Sequence, residues 1–176
     1  FDAGATWSYV PVAVQDGLGN TANDSRFDGA AAYDASGNLH VVYMHRPPTQ
    51  VAGVDRLSIV HAMSSDGGRT YPVVNIVASQ LVDANGDSVD KPWLAIGRDV
   101  QDPSKQVVVV TYSDDRDGNA AQDHKNIYAR VATIDGHGRI GPFSTETQVS
   151  DVPAGEFTNN YAVPAVGPNG EIVITW

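Results

Sequence analysis

Short stretches of apolar, β-branched residues recur along the chain, and each is bounded by Gly, Pro, Asn or Asp. Clear examples cover residues 39–43, 57–62, 107–112 and 127–131. Stretches of roughly four to eight residues with this composition are typical of β-strands that end in turns. No window of a dozen residues keeps apolar positions at the spacing of an amphipathic helix. The pattern therefore predicts an all-β fold.

The predicted strands belong to a repeat. Residues 32–43 align with residues 165–176, and a middle copy covers residues 95–112 with a longer turn. Each copy ends in an aromatic residue, and the successive spacings are 69 and 64 residues. A second marker, an Asp followed by Gly, Thr and an aromatic residue, recurs 64 residues apart from Asp2 to Asp66. Two independent markers therefore share a period of roughly 65 residues, as expected of a repeat architecture.

One repeat holds four strands, arranged as an apolar hairpin, a long polar loop and a second hairpin. In the first complete unit we expect strands at about 29–34, 39–45, 56–64 and 73–78. Four antiparallel strands repeated around an axis form the blades of a β-propeller. The alternative is a β-sandwich of unrelated hairpins, which does not require a fixed period.

The repeat divides the chain into blades. One blade covers residues 29–78 and a second covers residues 92–150, while residues 1–28 hold the end of a blade and a connection and residues 161–176 begin the next. Propellers typically close with about four to eight blades, so two blades leave apolar faces and strand edges uncovered. We therefore expect a segment of a larger propeller of roughly six or seven blades, completed by the remaining blades or by a partner chain.

The turn that begins at Ser64, Ser-Ser-Asp-Gly-Gly-Arg-Thr-Tyr, has a clear local chemistry. An Asp in a tight turn accepts backbone N–H hydrogen bonds, a Gly supplies positive φ, and the Thr and the aromatic residue begin the next strand. The turn resembles the Asp-box, S-x-D-x-G-x-T-W, of the BNR or sialidase-like β-propeller families. The matching residues are Ser64, Asp66, Gly68, Thr70 and Tyr71, with a second copy at Asp2, Gly4, Thr6 and Trp7 and a degenerate third copy at residues 132–138. The resemblance implies a structural turn at the outer edge of a blade.

Loop length distinguishes the two ends of the predicted blades. Turns within the hairpins are mostly tight, whereas the loops between second and third strands and between blades are long. Long loops on a rigid scaffold usually carry function, and this long-loop face is rich in Asp, Asn and Arg, which suits a polar ligand or a cation. The candidate ligand-binding residues on the long-loop face are Arg46, Arg56, Asp90, Asp115, Arg116 and Tyr161. A solvated loop surface has the same composition and stays the alternative.

One loop, Asp-Ala-Asn-Gly-Asp-Ser-Val-Asp from Asp83, places oxygen ligands at alternating positions around a glycine. Hard cations such as Ca²⁺ bind oxygen ligands of this kind, so Asp83, Asn85, Asp87 and Asp90 form a candidate calcium site. The twelfth position counted from Asp83 is Leu94, where an EF-hand loop has a bidentate carboxylate. A connector built on Asx-turns is therefore the alternative.

The resemblance to sialidases also implies a catalytic site. Such a site needs an arginine triad that binds a carboxylate, an acid/base Asp, and a Tyr activated by a Glu. The F/Y-R-I-P signature of sialidases is absent, because residues 43–47 read Tyr-Met-His-Arg-Pro. No arginine is assigned to the triad, and the catalytic residues stay unknown.

Composition narrows the class of partner. The 176 residues carry 21 acidic and 11 basic side chains, a formal net charge of −10, which argues against nucleic acid and against an anionic membrane surface. No apolar run approaches the roughly 18 residues of a membrane-spanning helix. Cysteine is absent, which excludes disulfides and thiolate chemistry within this sequence.

Two interpretations of function follow. The first is a secreted, sialidase-like propeller that recognises glycans at its long-loop face, with exo-glycosidase activity of the sialidase type as a further expectation for the complete protein. The second is a non-catalytic cell-surface or assembly module stabilised by calcium. Both interpretations imply a location outside the cell or at its surface. Fold class alone does not decide between them.

Overall fold

The computed structural model describes residues 5–8, 25–47, 53–82, 88–115, 125–151 and 159–176. All regular structure in these residues is β-strand, which confirms the all-β prediction. The strands are β1 (Ser25–Tyr33), β2 (Leu39–Arg46), β3 (Arg56–Ser64), β4 (Val73–Leu81), β5 (Asp90–Arg98), β6 (Gln106–Asp115), β7 (Lys125–Ile134), β8 (Thr147–Gln148), β9 (Val163–Val166) and β10 (Ile172–Thr175). Within the same residues, no helix is long and apolar enough to cross a membrane.

The strands form two four-stranded antiparallel sheets and one hairpin. The sheets have the orders β1-β2-β3-β4 and β5-β6-β7-β8, and β9 pairs with β10. Within each sheet, strands that are consecutive in sequence pair with one another, which is the arrangement that the four-strand repeat predicts. β8 is the shortest strand, with two residues.

Two strands extend further toward the long-loop face than the sequence pattern predicts. β1 begins at Ser25 rather than near residue 29, and β4 ends at Leu81 rather than near residue 78. In both cases pairing continues past a shift of register, which in β1 lies between Phe27 and Ala30. A bulge interrupts the alternation of side chains between the two faces of a sheet. The alternating sequence pattern therefore covers fewer residues than the paired strand.

The main hydrophobic core lies between the two four-stranded sheets, because buried side chains from both contribute to it. Its buried members are Val42, Met44, Leu57, Ile59, Val77, Ala78, Val89, Leu94, Val108, Val110, Tyr112, Tyr128, Ala132 and Ile134. A smaller cluster contains Tyr43, Val60, Ala62 and Tyr71. Neighbours along a strand point to opposite faces, so Val42 and Met44 reach the main core while Tyr43 reaches the other face of the first sheet.

The first strands of successive units, β1, β5 and β9, lie side by side, and we call them the leading strands. β1 contacts β5, and β5 contacts β9. The second contact is so close that a Cβ added to Gly97 would overlap the side chain of Val166. Thr111 in β6 also donates through Oγ1 to the carbonyl oxygen of Ala162, at 2.8 Å. The second sheet is therefore covered on one face by the first sheet and on the other by the β9–β10 hairpin.

A buried hydrogen-bonded network of Asp34, His40 and His61, which we call the histidine network, lies in the first sheet at the end opposite the long-loop face. Nδ1 of His40 lies 2.9 Å from Nε2 of His61, and Nε2 of His40 lies 3.3 Å from Oδ2 of Asp34. Both histidines are fully buried. The His61 ring packs edge-on against Phe143 of the second unit, with ring centres 5.4 Å apart. The histidine network therefore contributes to the contact between the two sheets.

Burial strongly influences the pKa values of the three residues in the histidine network. Burial, together with the charge of His40, lowers the pKa of His61 from 6.5 to about 3. Burial also lowers the pKa of His40, against the opposing effect of Asp34. For Asp34 burial acts to raise the pKa, but hydrogen bonds from Asn38 and His40 outweigh it and hold the pKa below 3.8. At neutral pH the histidines are therefore neutral and Asp34 is ionised.

Acidification from about pH 6.5 to about pH 4.5 is expected to destabilise the folded chain. In this window unfolded His61 binds a proton that folded His61, with a pKa of about 3, does not bind. The free energy of unfolding then falls by up to about 1.4 kcal/mol per pH unit for each such histidine. Asp34 contributes little there, since its folded pKa lies below 3.8. Urea unfolding at several pH values measures the slope.

His61→Gln should flatten this pH dependence. It also lowers stability at neutral pH, because it disrupts the hydrogen bonds of the buried histidine network. His137 is exposed, so His137→Gln is the matched control and should keep the slope of the original chain. A slope that is the same in both variants contradicts the assignment of the effect to His61.

Gly97→Ala is expected to lower the free energy of unfolding by about 1–3 kcal/mol, the usual cost of forcing extra atoms into a packed interface. The added Cβ collides with Val166, so Val166→Ala in the same chain should restore part of the loss. Gly136→Ala is the control, because its nearest neighbour would be the Ser104 carbonyl oxygen at 3.7 Å. Equal stability of Gly97→Ala and Gly136→Ala in thermal unfolding contradicts the close approach of β5 and β9.

Candidate functional site

Three non-glycine residues among those described have a left-handed backbone. They are Asp28 (φ 51°), Lys91 (φ 48°) and Tyr161 (φ 58°). Asp28 and Lys91 lie in the register shifts of β1 and β5, and Tyr161 lies two residues before β9. The left-handed region costs an L-residue about 1–2 kcal/mol, and such strain concentrates at functional sites. The recurrence of this strain at the start of each leading strand marks a candidate site.

The side chains of these three residues meet, and we call them the bulge cluster. Nζ of Lys91 lies 2.8 Å from Oδ2 of Asp28 and 5.5 Å from the ring centre of Tyr161. The hydrogen bond to Asp28 is the largest influence on the pKa of Lys91; partial burial opposes it, and the net effect raises the pKa above its usual value. The ammonium group therefore stays charged over the whole neutral range.

The bulge cluster lines a cavity of about 280 Å³ on the long-loop face. The remaining wall is formed by Gly29, Pro92, Trp93 and Val163. Trp93 is 45% exposed and Tyr161 is 67% exposed, so two large aromatic side chains face solvent beside a fixed ion pair. Ligand sites commonly combine apolar and aromatic walls with a few polar groups that are held in place.

A second cavity of about 320 Å³ shares two residues of the bulge cluster with the first, and Arg46, Asp90 and Lys125 also line it. Each charged group in its wall lies near a group of opposite charge. The carboxylate of Asp90 lies 3.7 Å from Nζ of Lys125 and 3.8 Å from Nζ of Lys91. Nε of Arg46 lies 3.7 Å from a carboxylate oxygen of Asp55.

The structure brings only some of the predicted ligand-binding residues to these cavities. Tyr161 lines the first cavity, and Arg46 and Asp90 line the second. Arg56 is not in either wall and donates instead to Oγ of Ser79 at 3.1 Å. Asp115 also lies outside both walls, at the end of β6. Arg116 lies outside the described residues.

The candidate calcium ligands fall largely outside the part of the chain that the structure describes. Asp83, Asn85 and Asp87 belong to the segment 83–87, which is not described. Asp90 is described, and one oxygen of its carboxylate accepts the backbone N–H of Lys91 at 2.8 Å. Within the described ranges no three His, Asp or Glu side chains are grouped to hold a metal ion. Calcium at residues 83–90 stays a prediction.

The Asp-box sequence forms the turn between β3 and β4, at the end of the sheet far from the bulge cluster. Oδ1 of Asp66 accepts the backbone N–H of Thr70 at 2.9 Å and the hydroxyl of Ser64 at 2.7 Å, and Oδ2 accepts the hydroxyl of Thr70 at 2.7 Å. These hydrogen bonds, that from the Thr70 side chain first, lower the pKa of Asp66. Gly68 has φ 85° and lies against the buried ring of Tyr71.

The other copies of the box are described in part. Asp2 and Gly4 lie outside the described residues, whereas Thr6 and Trp7 are described and Trp7 is 91% exposed. In the degenerate copy, Oδ1 of Asp135 accepts the backbone N–H of Arg139 at 2.9 Å. This carboxylate closes its turn in the same way as the one in the turn between β3 and β4.

A tyrosine–glutamate pair, of the kind that sialidase chemistry needs, occurs at Tyr112 and Glu146, where the phenol donates to the carboxylate. Tyr112 is fully buried in the main core and stacks on Tyr128 with ring centres 6.0 Å apart. A nucleophile has to reach its substrate, so this pair stabilises the second sheet and is not a reactive group at the cavities.

Sequence reasoning missed the role of Lys91, and the signal that reveals it is the repeat itself. Asp28, Lys91 and Tyr161 have no chemistry in common, and of the three only Asp28 is of a residue type that is enriched in left-handed backbone. Aligning the leading strands instead places the three residues at one position of the repeat, 63 and 70 residues apart.

Comparison with known proteins adds no relative from which a function could be taken. The chain matches no protein-family model, and no curated protein aligns with it significantly. A functional proposal for this protein therefore rests on the Asp-box motif and on the geometry of the bulge cluster and its cavity.

At Tyr161 glycine is expected to be more stable than alanine by about 1 kcal/mol, which reverses the usual order. Both substitutions remove a mostly exposed side chain, but only glycine relieves the left-handed backbone. Urea unfolding of Tyr161→Gly and Tyr161→Ala measures the difference. The control pair is Val173→Gly and Val173→Ala, at an exposed strand position where alanine should be the more stable. The same order at both positions would mean that Tyr161 is not strained.

Proposed function

We propose that this chain contributes blades to an Asp-box β-propeller, and that the bulge cluster together with Trp93 recognises glycans on the long-loop face. The contact of the leading strands in chain order, β1 with β5 and β5 with β9, supports the propeller arrangement. A two-layer sandwich buries one face of each sheet, whereas the second sheet here is covered on both faces. Stacking of successive sheets around an axis has this property.

The observation that carries the proposal is the pairing of exposed aromatic rings with a fixed ion pair at a strained bulge. The flat rings of Trp93 and Tyr161 offer apolar surface to the C–H face of a sugar ring. The Asp28 carboxylate accepts and the Lys91 ammonium donates hydrogen bonds, which suits the hydroxyl groups at the edge of the same sugar. A cavity of about 280 Å³ has the size for one or two sugar units.

Glycan recognition agrees with a protein that acts outside the cell or at its surface, where glycans are exposed. Hydrolysis of the sialidase type is a separate proposal, because it requires an acid/base Asp, a Tyr activated by a Glu and an arginine cluster placed around one sugar. Turnover of a fluorogenic sialoside by the full chain tests hydrolysis, and its absence leaves the proposal of glycan binding standing.

Trp93→Ala is expected to weaken glycan binding at least about tenfold, because the stacking surface is lost. Binding of the full chain to an immobilised array of neutral and sialylated glycans identifies ligands, and calorimetric titration with the best of them gives the affinity. Trp7→Ala is the matched control, since Trp7 is an exposed tryptophan that lines neither cavity. Binding that Trp93→Ala leaves unchanged, or the absence of any glycan ligand, contradicts the proposal.

A further inference from the structure

Among the residues that the structure describes, the ionised side chains paired at the bulge cluster balance one another in charge. Asp28 and Asp90 supply two carboxylates, and Lys91 and Lys125 supply two ammonium groups, so the formal charge of the four is zero. Each ammonium group lies near a carboxylate, at 2.8 Å for Lys91 and Asp28, 3.8 Å for Lys91 and Asp90, and 3.7 Å for Lys125 and Asp90. Arg46, which lines the second cavity, lies 3.7 Å through Nε from a carboxylate oxygen of Asp55.

We propose that the site selects neutral sugars, such as hexoses and N-acetylhexosamines, over acidic sugars such as sialic acid, and that Asp28 is the residue that determines this selectivity. The inference rests on the proposed function, because it specifies which glycans the bulge cluster accepts. It names a substrate class that differs from the one implied by the resemblance to sialidases.

The physical reason is competition for Lys91. A sugar carboxylate needs a cation whose hydrogen-bond donors point to it. The Lys91 ammonium already donates to the Asp28 carboxylate at 2.8 Å and lies 3.8 Å from that of Asp90. A second carboxylate brought to the same ammonium would lie beside the first, and like charges at this distance repel. A hydroxyl group meets no such conflict, because it donates to Asp28 and accepts from Lys91 at the same time.

The position of both groups is fixed by the backbone. Asp28 and Lys91 each occupy the left-handed residue of a bulge, and paired strand residues follow both bulges. Their side chains are partly open, with 37% and 28% of the surface accessible, so a sugar reaches the ion pair without separating it. A preorganised acceptor and donor at a fixed spacing favour a ligand with hydroxyl groups on adjacent carbons.

Asp28→Asn tests the inference, because it removes one carboxylate and keeps the size of the side chain. The probe is an array of matched neutral glycans and their sialylated forms, including lactose and sialyllactose. The original chain should prefer the neutral member of each pair it binds. Asp28→Asn should raise binding of the sialylated member by about fivefold to tenfold at low salt, and added salt should reduce the gain.

Two further variants separate charge from structure. Asp28→Glu keeps the ion pair and should keep the neutral preference. Lys91→Met removes the ammonium group beside Asp28, so it should gain nothing on sialylated glycans. Thermal unfolding confirms that each variant is folded. A Trp93-dependent preference of the original chain for sialylated glycans overturns the inference, as does an Asp28→Asn variant with unchanged selectivity. Failure of every glycan to bind overturns the proposed function itself.

Discussion

The side-by-side packing of the leading strands β1, β5 and β9 is the contact on which the rest of the structure depends. The main core is built from buried side chains of both four-stranded sheets, so each sheet covers an apolar face of the other. The close contact at Gly97 and Val166 shows how little space separates two leading strands. Because equivalent residues then lie next to each other, three chemically unrelated side chains from three repeats form one cluster.

The two ends of the sheets differ in how their polar groups are satisfied. At the Asp-box end, the polar groups of Asp66 and of the histidine network make hydrogen bonds within the protein. At the long-loop end, the ion pair of Lys91 stays partly open to solvent. Strain at the open end persists only when the surrounding structure holds it in place, and the hydrogen bonds at the Asp-box end contribute to that support.

Sequence patterns predicted the strands best where side chains alternate regularly. β3 was expected at about 56–64 and lies at Arg56–Ser64, and the order of the sheets followed from the repeat. The prediction stopped short at the bulge of β1, where alternation changes. The site was harder to predict, since Tyr161 was expected on the long-loop face but Lys91 was not expected at all. The position of Lys91 in the site depends on its backbone conformation and on its contact with Asp28, and the residue type alone predicts neither.

The energetics of the Asp28–Lys91 pair favour a role in binding over a role in stability. A partly exposed salt bridge contributes about 0–1 kcal/mol to folding, while each left-handed residue costs about 1–2 kcal/mol. Aspartate adopts this region more readily than most residues, but the left-handed backbone of Lys91 alone costs as much as the ion pair contributes or more, and glycine there would remove the strain. The glycan that we propose for this site would use the fixed acceptor and donor, and it would connect the strain of the bulge to the open cavity beside it.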